Sequence, residues 1–457
     1  LVPSLLFASF TADTGRPESI LEAATLKAYN VLQLYNGNET GGVLGKFPYP
    51  PYYWWESGGA WGGMVEYWHY TRDDSHINVT YDALIAQLGP NYDFNMPVEA
   101  FDEGNDDQAF WVFAAMSAAE YSFPEPPAPI PSWITIVQNA WEDYVSRWNI
   151  ASCNGGLKWQ FYPQNAGYFY KNSISNGAFF QISARLARFT GNNTYLDWAN
   201  TIWDWTSGVG LIDNIYNVFD GTDETINCSR VDHHQWTYNV GVFLYGAAIL
   251  QNYTNGSAPW PERTAGLLDA ATTFITPFRN ATNIIFEAEC ELDMSCNVDQ
   301  LSMKAYLVRW LAATSLVAPF TTSRVGEILR SSAEGAAAAC TGGASGNSCG
   351  SKWYIGGWDG TDGLGQELCA MEAMAALMVN DTNPPATLPN VVIQTASPTS
   401  TPTPTSTSST NPATTERPPT PTDTSRPLYD SKASGGMNVQ NKIRAVLATI
   451  ITSLVVV

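Results

Sequence analysis

The sequence predicts an all-α protein built as an (α/α)6 barrel, and three observations carry that expectation. Apolar residues recur at three- and four-residue intervals in NGAFFQISARLARFTGN, GVFLYGAAILQNYTN and SMKAYLVRWLAATSLVAP. Strand-like alternation is scarce between about Thr11 and Val379. Finally, a loop rich in Gly, Asn, Asp or aromatic residues opens a long apolar helix six times, at intervals of 51 to 70 residues. Each interval holds two helices of ordinary length and their connections. Six such pairs close into a ring of twelve helices whose inner members all start on one face. An open solenoid shares this rhythm, but its repeats are usually ~30–50 residues long with a readable consensus.

The openings fall near Trp55 (WWESGGAWGG), Asp106 (GNDDQAFW), Asn176 (KNSISNGAFF), Asn239 (QWTYNVGVFL), Gln300 (VDQLSMKAYL) and Gln366 (GLGQELCAME). Polar residues at these starts collect around one central cleft. Trp55, Trp61, Trp236 and Tyr238 offer ring faces to a sugar, although aromatics at helical spacing also build cores. Asn172, Asn176, Asn239, Gln300 and Gln366 offer amides to hydroxyls, a role that competes with helix capping and loop satisfaction. Asp299 and Lys304 fit either substrate binding or pairing within the ring. Asp232 with His233 and His234 reads as a loop because no G-x-S-x-G nucleophile accompanies it. Asp359 and Asp362 read as turn residues.

Composition narrows the ligand. The 457 residues include 17 Trp and are 13% aromatic but only 14% charged, and 43 acids against 22 bases give a net charge of −21. Such a chain is repelled by nucleic acid and anionic lipid, so no nucleic-acid partner is expected. A neutral, aromatic surface suits uncharged ligands that stack on rings and are held by amides and carboxylates, as sugars are.

Both ends carry addresses. Residues 1–10 (LVPSLLFASF) read as the trailing part of a signal peptide or a buried strand. The folded domain is expected over 11–385 and a Ser/Thr/Pro-rich stalk over 386–433, since hydroxyls interleaved with Pro cannot bury a core. Residues 434–457 fit a glycosylphosphatidylinositol (GPI) attachment signal: Ser434-Gly435-Gly436, a polar spacer, then the thirteen residues AVLATIITSLVVV. Thirteen are too few for a span of ~20. Ser434 is the expected attachment residue, and the GPI lipid the only expected membrane contact, at the plasma membrane or cell wall. Acceptors Asn38, Asn78, Asn192, Asn227, Asn252, Asn255, Asn280 and Asn380 all precede the stalk and support secretion. Of seven cysteines, Cys290 with Cys296 and Cys340 with Cys349 could close short loops. If Cys153 joins Cys228, Cys369 is left as a buried thiol. With no CxxC or CxxH spacing and four scattered His, no metal or other cofactor is expected. The chain is expected to act as a monomer.

The strongest chemical candidate is Gly104-Asn105-Asp106-Asp107-Gln108. Asn105 could cap the helix and Gln108 complete a capping box. The helix dipole favours two acids in a first turn whatever the protein does. Adjacent carboxylates also repel, however, which raises one pKa at the expense of the other's ionisation. Their closeness suits the ~5 Å separation of a retaining glycosidase.

The runs PPYYWWESGGAWGG, GNDDQAFWVFAAMSAAE, GLKWQ, YKNSISNGAFFQISARLARFTGN, QWTYNVGVFLYGAA and CNVDQLSMKAYLVRW, between about Asn30 and Gly365, resemble glycoside hydrolase family 76. The likeness is to its fungal GPI-anchored cell-wall branch. It implies an (α/α)6 barrel and a retaining action on α-1,6-linked mannose, with Asp106 as nucleophile and Asp107 as general acid/base. It further implies a mannan or GPI-core glycan donor and, where transfer replaces hydrolysis, a β-glucan acceptor. A catalytically silent glycan-binding wall mannoprotein and an inverting enzyme on the same barrel are the competing expectations.

Overall fold

The computed structural model describes residues 12–100 and 103–388. The leader-like segment 1–10, nearly all of the stalk, Ser434 and the terminal apolar run lie outside the described residues. Six inner helices form the barrel wall: α2 (Trp54–Thr71), α4 (Asn105–Tyr121), α6 (Ser173–Thr190), α8 (Thr237–Tyr253), α10 (Met303–Val317) and α12 (Leu364–Ala375). Each packs on the next, and α12 packs back on α2, which closes the ring. Six outer helices cover them: α1 (Pro17–Gln33), α3 (Ile77–Ala86), α5 (Trp133–Arg147), α7 (Asn193–Gly208), α9 (Trp260–Ala270) and α11 (Thr322–Ala339). α1 lies against α12, so the first and last hairpins seal each other.

Burial separates the two rings. On α5 only Trp133, Ile136, Val137, Ala140, Trp141 and Tyr144 are buried, one stripe at helical spacing. On α4 every residue from Gln108 to Tyr121 is buried, because an inner helix touches neighbours on both sides and the barrel axis. The glycines of WWESGGAWGG, expected in a loop, lie inside α2 instead. They let the wall approach closely: a Cβ at Gly58 would sit 2.7 Å from the Trp111 ring, and one at Gly63 would sit 2.6 Å from Glu372 Oε1.

Deep in the barrel, all six inner helices contribute to a buried polar plug. Arg185 is 2.6 Å from Glu120, and Arg309 is 2.6 Å from Glu372. Glu66 accepts from Ser117 Oγ, which also receives Arg185 Nη2. Tyr245 from α8 lies under the Arg185 guanidinium. Burial pushes Glu66 up to about 7, opposed by Arg309. The only sheet among the described residues is three short antiparallel strands, β1 (Tyr170–Asn172), β2 (Gly221–Asp223) and β3 (Val231–Asp232), which lead into α6 and α8 at the barrel mouth.

Removing one partner of a buried pair strands the other's charge, at a cost of about 3–5 kcal/mol. Arg185→Met should therefore lower unfolding stability by that order in urea titrations, and adding Glu120→Leu should recover most of the loss.

Candidate active site

α4 begins at a clamp. Gly104 is its N-cap residue, and the Asn105 amide donates to Trp159 O at 2.9 Å while Asn105 Nδ2 donates to Lys158 O at 2.8 Å. The capping box differs from the expected one. Asp107, not Gln108, reaches back, its Oδ2 accepting from the Gly104 amide at 2.7 Å. Gln108 instead donates to Asp93 O and Asp143, because Asn105 is already the first helical residue and the register moves by one. One Asp107 oxygen is thus fixed by backbone.

Asp106 is held differently. Its Oδ1 accepts from the Asp107 amide at 3.1 Å and its Oδ2 from Asn172 Nδ2 at 3.2 Å. Gly104 sets the spacing. A Cβ there would lie 2.8 Å from Asp106 Oδ1, 2.9 Å from Asp107 Oδ2 and 2.6 Å from Trp159 O. The two carboxylate oxygens are therefore closer together than the sum of the first two distances.

Burial raises both pKa values, by unequal amounts. Asp106 is pushed up to about 7 by desolvation, opposed by hydrogen bonds that include Asn172 and the Asp107 amide. Asp107 is pushed well above the carboxylate range by desolvation and then by Asp106 and Asp299. Asp106 accepts the hydrogen bonds that favour its ionised form, whereas Asp107 carries the added repulsion of Asp106 and Asp299. More acids crowd the same mouth. Burial pushes Glu56 up to about 8, with Asp299 adding to it, and raises Asp299, Asp220 and Glu103.

The remaining expected residues divide between cleft and scaffold. Trp55 donates Nε1–H to Asp299 Oδ1 at 3.0 Å, which fixes both at the mouth. Asn172 caps α6 through Ser175 N while its amide holds Asp106, so it positions a carboxylate rather than a sugar. Trp236 and Tyr238 are half-buried, and Tyr238 feels Asp220, Asp106 and Asp299 together. Asn239 is buried, with Nδ2 3.5 Å from Asp220 Oδ1. Gln300 closes a loop by accepting from Asn297 N, and Gln366 is buried beside Gly363.

Three expected ligands belong to the wall. Trp61 is fully buried, donating to Gly45 O at 2.7 Å and packed against Tyr35 and Phe47. Asn176 is fully buried and bonds both the amide and carbonyl of Leu157. Lys304 is buried against Glu291 at 3.0 Å, bonds Ser351 O and sits over the Trp353 ring.

Sequence reasoning passed over Asp220, which accepts from Tyr170 OH at 2.7 Å, and Glu287, which caps α8 through Thr237 N and Oγ1. Asp220 stands beside the Asp232–His234 loop pair and lines an open cavity of about 340 Å³ with Trp236 and Gln300. Asp359 gathers the Ser351, Lys352 and Thr361 amides as a turn residue. The cysteines pair as Cys153–Cys228, Cys290–Cys296 and Cys340–Cys349, and Cys369 is free and buried. Asn38, Asn78, Asn192, Asn227, Asn252, Asn255, Asn280 and Asn380 are all exposed.

The sequence profile of glycosyl hydrolase family 76 matches residues 19–389. The chain belongs to glycosyl hydrolase family 76. It is 42% identical over 396 residues to mannan endo-1,6-alpha-mannosidase DCW1 of Eremothecium gossypii, spanning 85% of this chain and 86% of that one. To mannan endo-1,6-alpha-mannosidase DFG5 of Saccharomyces cerevisiae it is 40% identical over 371 residues, covering 81% and 80%. The crystal structure of Dfg5 from Chaetomium thermophilum in complex with glucosamine superposes with a TM-score of 0.80 at 39% identity, covering 84% and 96%. An alpha-1,6-mannanase of Salegentibacter in complex with alpha-1,6-mannotriose shares the fold at 18% identity and a TM-score of 0.61, covering 79% and 99%. As a family 76 protein the chain is a glycosidase on an (α/α)6 barrel.

Three outcomes follow from this geometry. Gly104→Ala forces both carboxylates and Trp159 apart, and should cut kcat/KM at least ~100-fold while circular dichroism stays helical. Asn172→Ala removes a hydrogen bond that favours ionised Asp106, so the Asp106 carboxyl should titrate at higher pH than in the wild type when followed by carboxyl-carbon NMR. Because the folded Asp106 pKa exceeds the unfolded value near 3.9, its stabilising share is complete below that value and lost as pH rises through about 7. Asp106→Asn should accordingly raise Tm by about 2–4 °C at pH 8, and the difference should vanish near pH 4.

Proposed function

We propose that this protein is a retaining glycosidase or transglycosidase of α-1,6-linked mannose, with Asp106 as nucleophile and Asp107 as general acid/base. The observation that carries the reading is the pair of buried neighbouring carboxylates on the first turn of α4, Asp106 accepting from Asn172 and the Asp107 amide and Asp107 from the Gly104 amide. In the first displacement Asp106 attacks the anomeric carbon as Asp107 gives its proton to the departing oxygen. In the second, Asp107 takes a proton from the incoming hydroxyl, which displaces Asp106 and regenerates both groups. Water as the incoming group gives hydrolysis; a glycan hydroxyl gives transfer.

Asp220, Trp236 and Gln300 are the groups we assign to the donor side, beside Asp299 and Tyr238. That the relatives are mannan endo-1,6-alpha-mannosidases supports mannose as the donor sugar. The natural donor is taken to be the mannose core of a GPI anchor and the acceptor wall β-glucan, so that the enzyme attaches glycoproteins to a fungal cell wall. Three disulfides and eight exposed acceptor sequons support a secreted protein. No helix among the described residues is long and apolar enough to cross a membrane. Residues 1–10, 386–433 and 434–457 are assigned to leader, stalk and GPI signal.

The test is to incubate the purified protein with α-1,6-mannooligosaccharides and a labelled GPI-core glycan, with and without β-glucan. Asp106→Asn and Asp107→Asn serve beside it as controls. Turnover lost by ~10³-fold or more in both variants is expected, and label on the glucan marks transfer. Absence of turnover, or variants equal to wild type, contradicts the assignment.

A further inference from the structure

Two separate pieces of backbone hold Asp106. α4 starts on the segment 149–160, whose Lys158 and Trp159 carbonyls accept from Asn105, whereas Asp106 Oδ2 accepts from Asn172 at the end of β1. The 3.2 Å bond between Asp106 and Asn172 therefore survives only while the segment and β1 keep their register. Between them the backbone supplies one hydrogen bond, from Trp159 N to Tyr170 O at 2.7 Å. A single bond fixes a distance and leaves the two pieces free to pivot.

Glu224 supplies the second point of attachment. It opens the 3-10 turn Glu224–Ile226 directly after β2, and its side chain is only 8% exposed. From the segment its carboxylate accepts Lys158 Nζ and Ser152 Oγ, each at 2.5 Å, and Asn149 Nδ2 at 3.4 Å. From β1 it pairs with Lys171 Nζ at 3.8 Å. Lys171 is buried and donates as well to the Asn149, Ser152 and Gly155 carbonyls. Successive side chains of a strand point to opposite sides, so Lys171 meets the segment while its neighbour Asn172 meets Asp106.

The carboxylate also lets two cations share one place. Burial lowers the Lys171 pKa to about 8, opposed by Glu224 and reinforced by Lys158. With a neutral side chain at 224 the two ammonium groups repel each other across the gap between segment and strand. The Cys153–Cys228 disulfide and the Cys153 amide on Asn227 Oδ1 tie the same turn to the segment, but neither reaches β1.

We propose that Glu224 is a positioning residue for the catalytic pair: by gripping Lys158 and Lys171 together it keeps the base of α4 in register with β1, and so keeps Asn172 on Asp106. This rests on the retaining reading above and adds to it a residue that acts only through others.

The experiment reads Asp106 itself as well as turnover. Glu224→Gln, Lys158→Met, Asn172→Ala and the double variant Glu224→Gln/Asn172→Ala are compared with wild type, with near-UV circular dichroism to establish folding. In carboxyl-carbon NMR, Asp106 should titrate at higher pH in Glu224→Gln, as in Asn172→Ala, and the double variant should show no further rise. On α-1,6-mannotetraose, Glu224→Gln should lower kcat by about 10-fold and change KM by less than about 2-fold. In the Asn172→Ala background the same substitution should cost less than about 2-fold in kcat, because the contact through which it acts is already gone. Lys158→Met loses one arm of the grip and should move both readouts the same way by a smaller amount; it decides the matter if Glu224→Gln does not fold. An Asp106 titration that Glu224→Gln leaves unchanged, or kcat losses that multiply in the double variant, overturns the positioning role. If the titration shifts as expected while wild type turns over no donor, the grip on Asp106 is upheld and the glycosidase reading falls instead.

Discussion

Closure of α12 against α2 is the constraint on which the site depends, because it brings six helix N-termini to one mouth. Each start has amides without intrahelical partners. Acidic side chains satisfy several of them: Glu56 takes the Tyr53 amide before α2, Asp107 the Gly104 amide before α4, and Glu287 the Thr237 amide of α8. The ring therefore gathers carboxylates for structural reasons before any chemistry is considered. Helix dipoles favour their charge by ~0.3–1 kcal/mol, which is less than one pKa unit. Displacement of Asp106 from 3.8 to about 7 shows that desolvation wins.

Asymmetry then follows from local hydrogen bonding. Asp106 and Asp107 share burial and repel each other, but Asp106 also receives Asn172 and the Asp107 amide. Asn172 is placed by β1 and by its own capping of α6, so the small sheet at the mouth bears on the pair through one amide. The buried Arg185–Glu120 and Arg309–Glu372 pairs hold the wall from the other end.

Much of this was legible in the sequence because it is local. The six openings are short-range patterns, and Asp106-Asp107 on a first turn is readable from four residues. Phase was harder. Trp61 and Trp55 sit six residues apart on α2, yet one faces Tyr35 and Phe47 in the wall and the other Asp299 in the cleft. An inner helix buried all round has no polar face to orient it, so Trp61, Asn176 and Lys304 resembled cleft residues. Asp220 and Glu287 were unreadable for the opposite reason: their partners Tyr170 and Thr237 lie 50 residues away. The one-residue shift of the cap from Asn105 to Gly104 arises from the bridge between Gly104 and Gln160, another distant contact.

The division of labour between the two aspartates is the central claim, and it is tested most directly by trapping. An α-1,6-mannobiosyl fluoride carrying a second fluorine beside its anomeric carbon slows breakdown of any covalent intermediate. Peptide mass spectrometry of the wild-type protein should then find one glycosyl adduct, as an ester on Asp106. An adduct on Asp107, or turnover with inverted product and no adduct, would contradict the account.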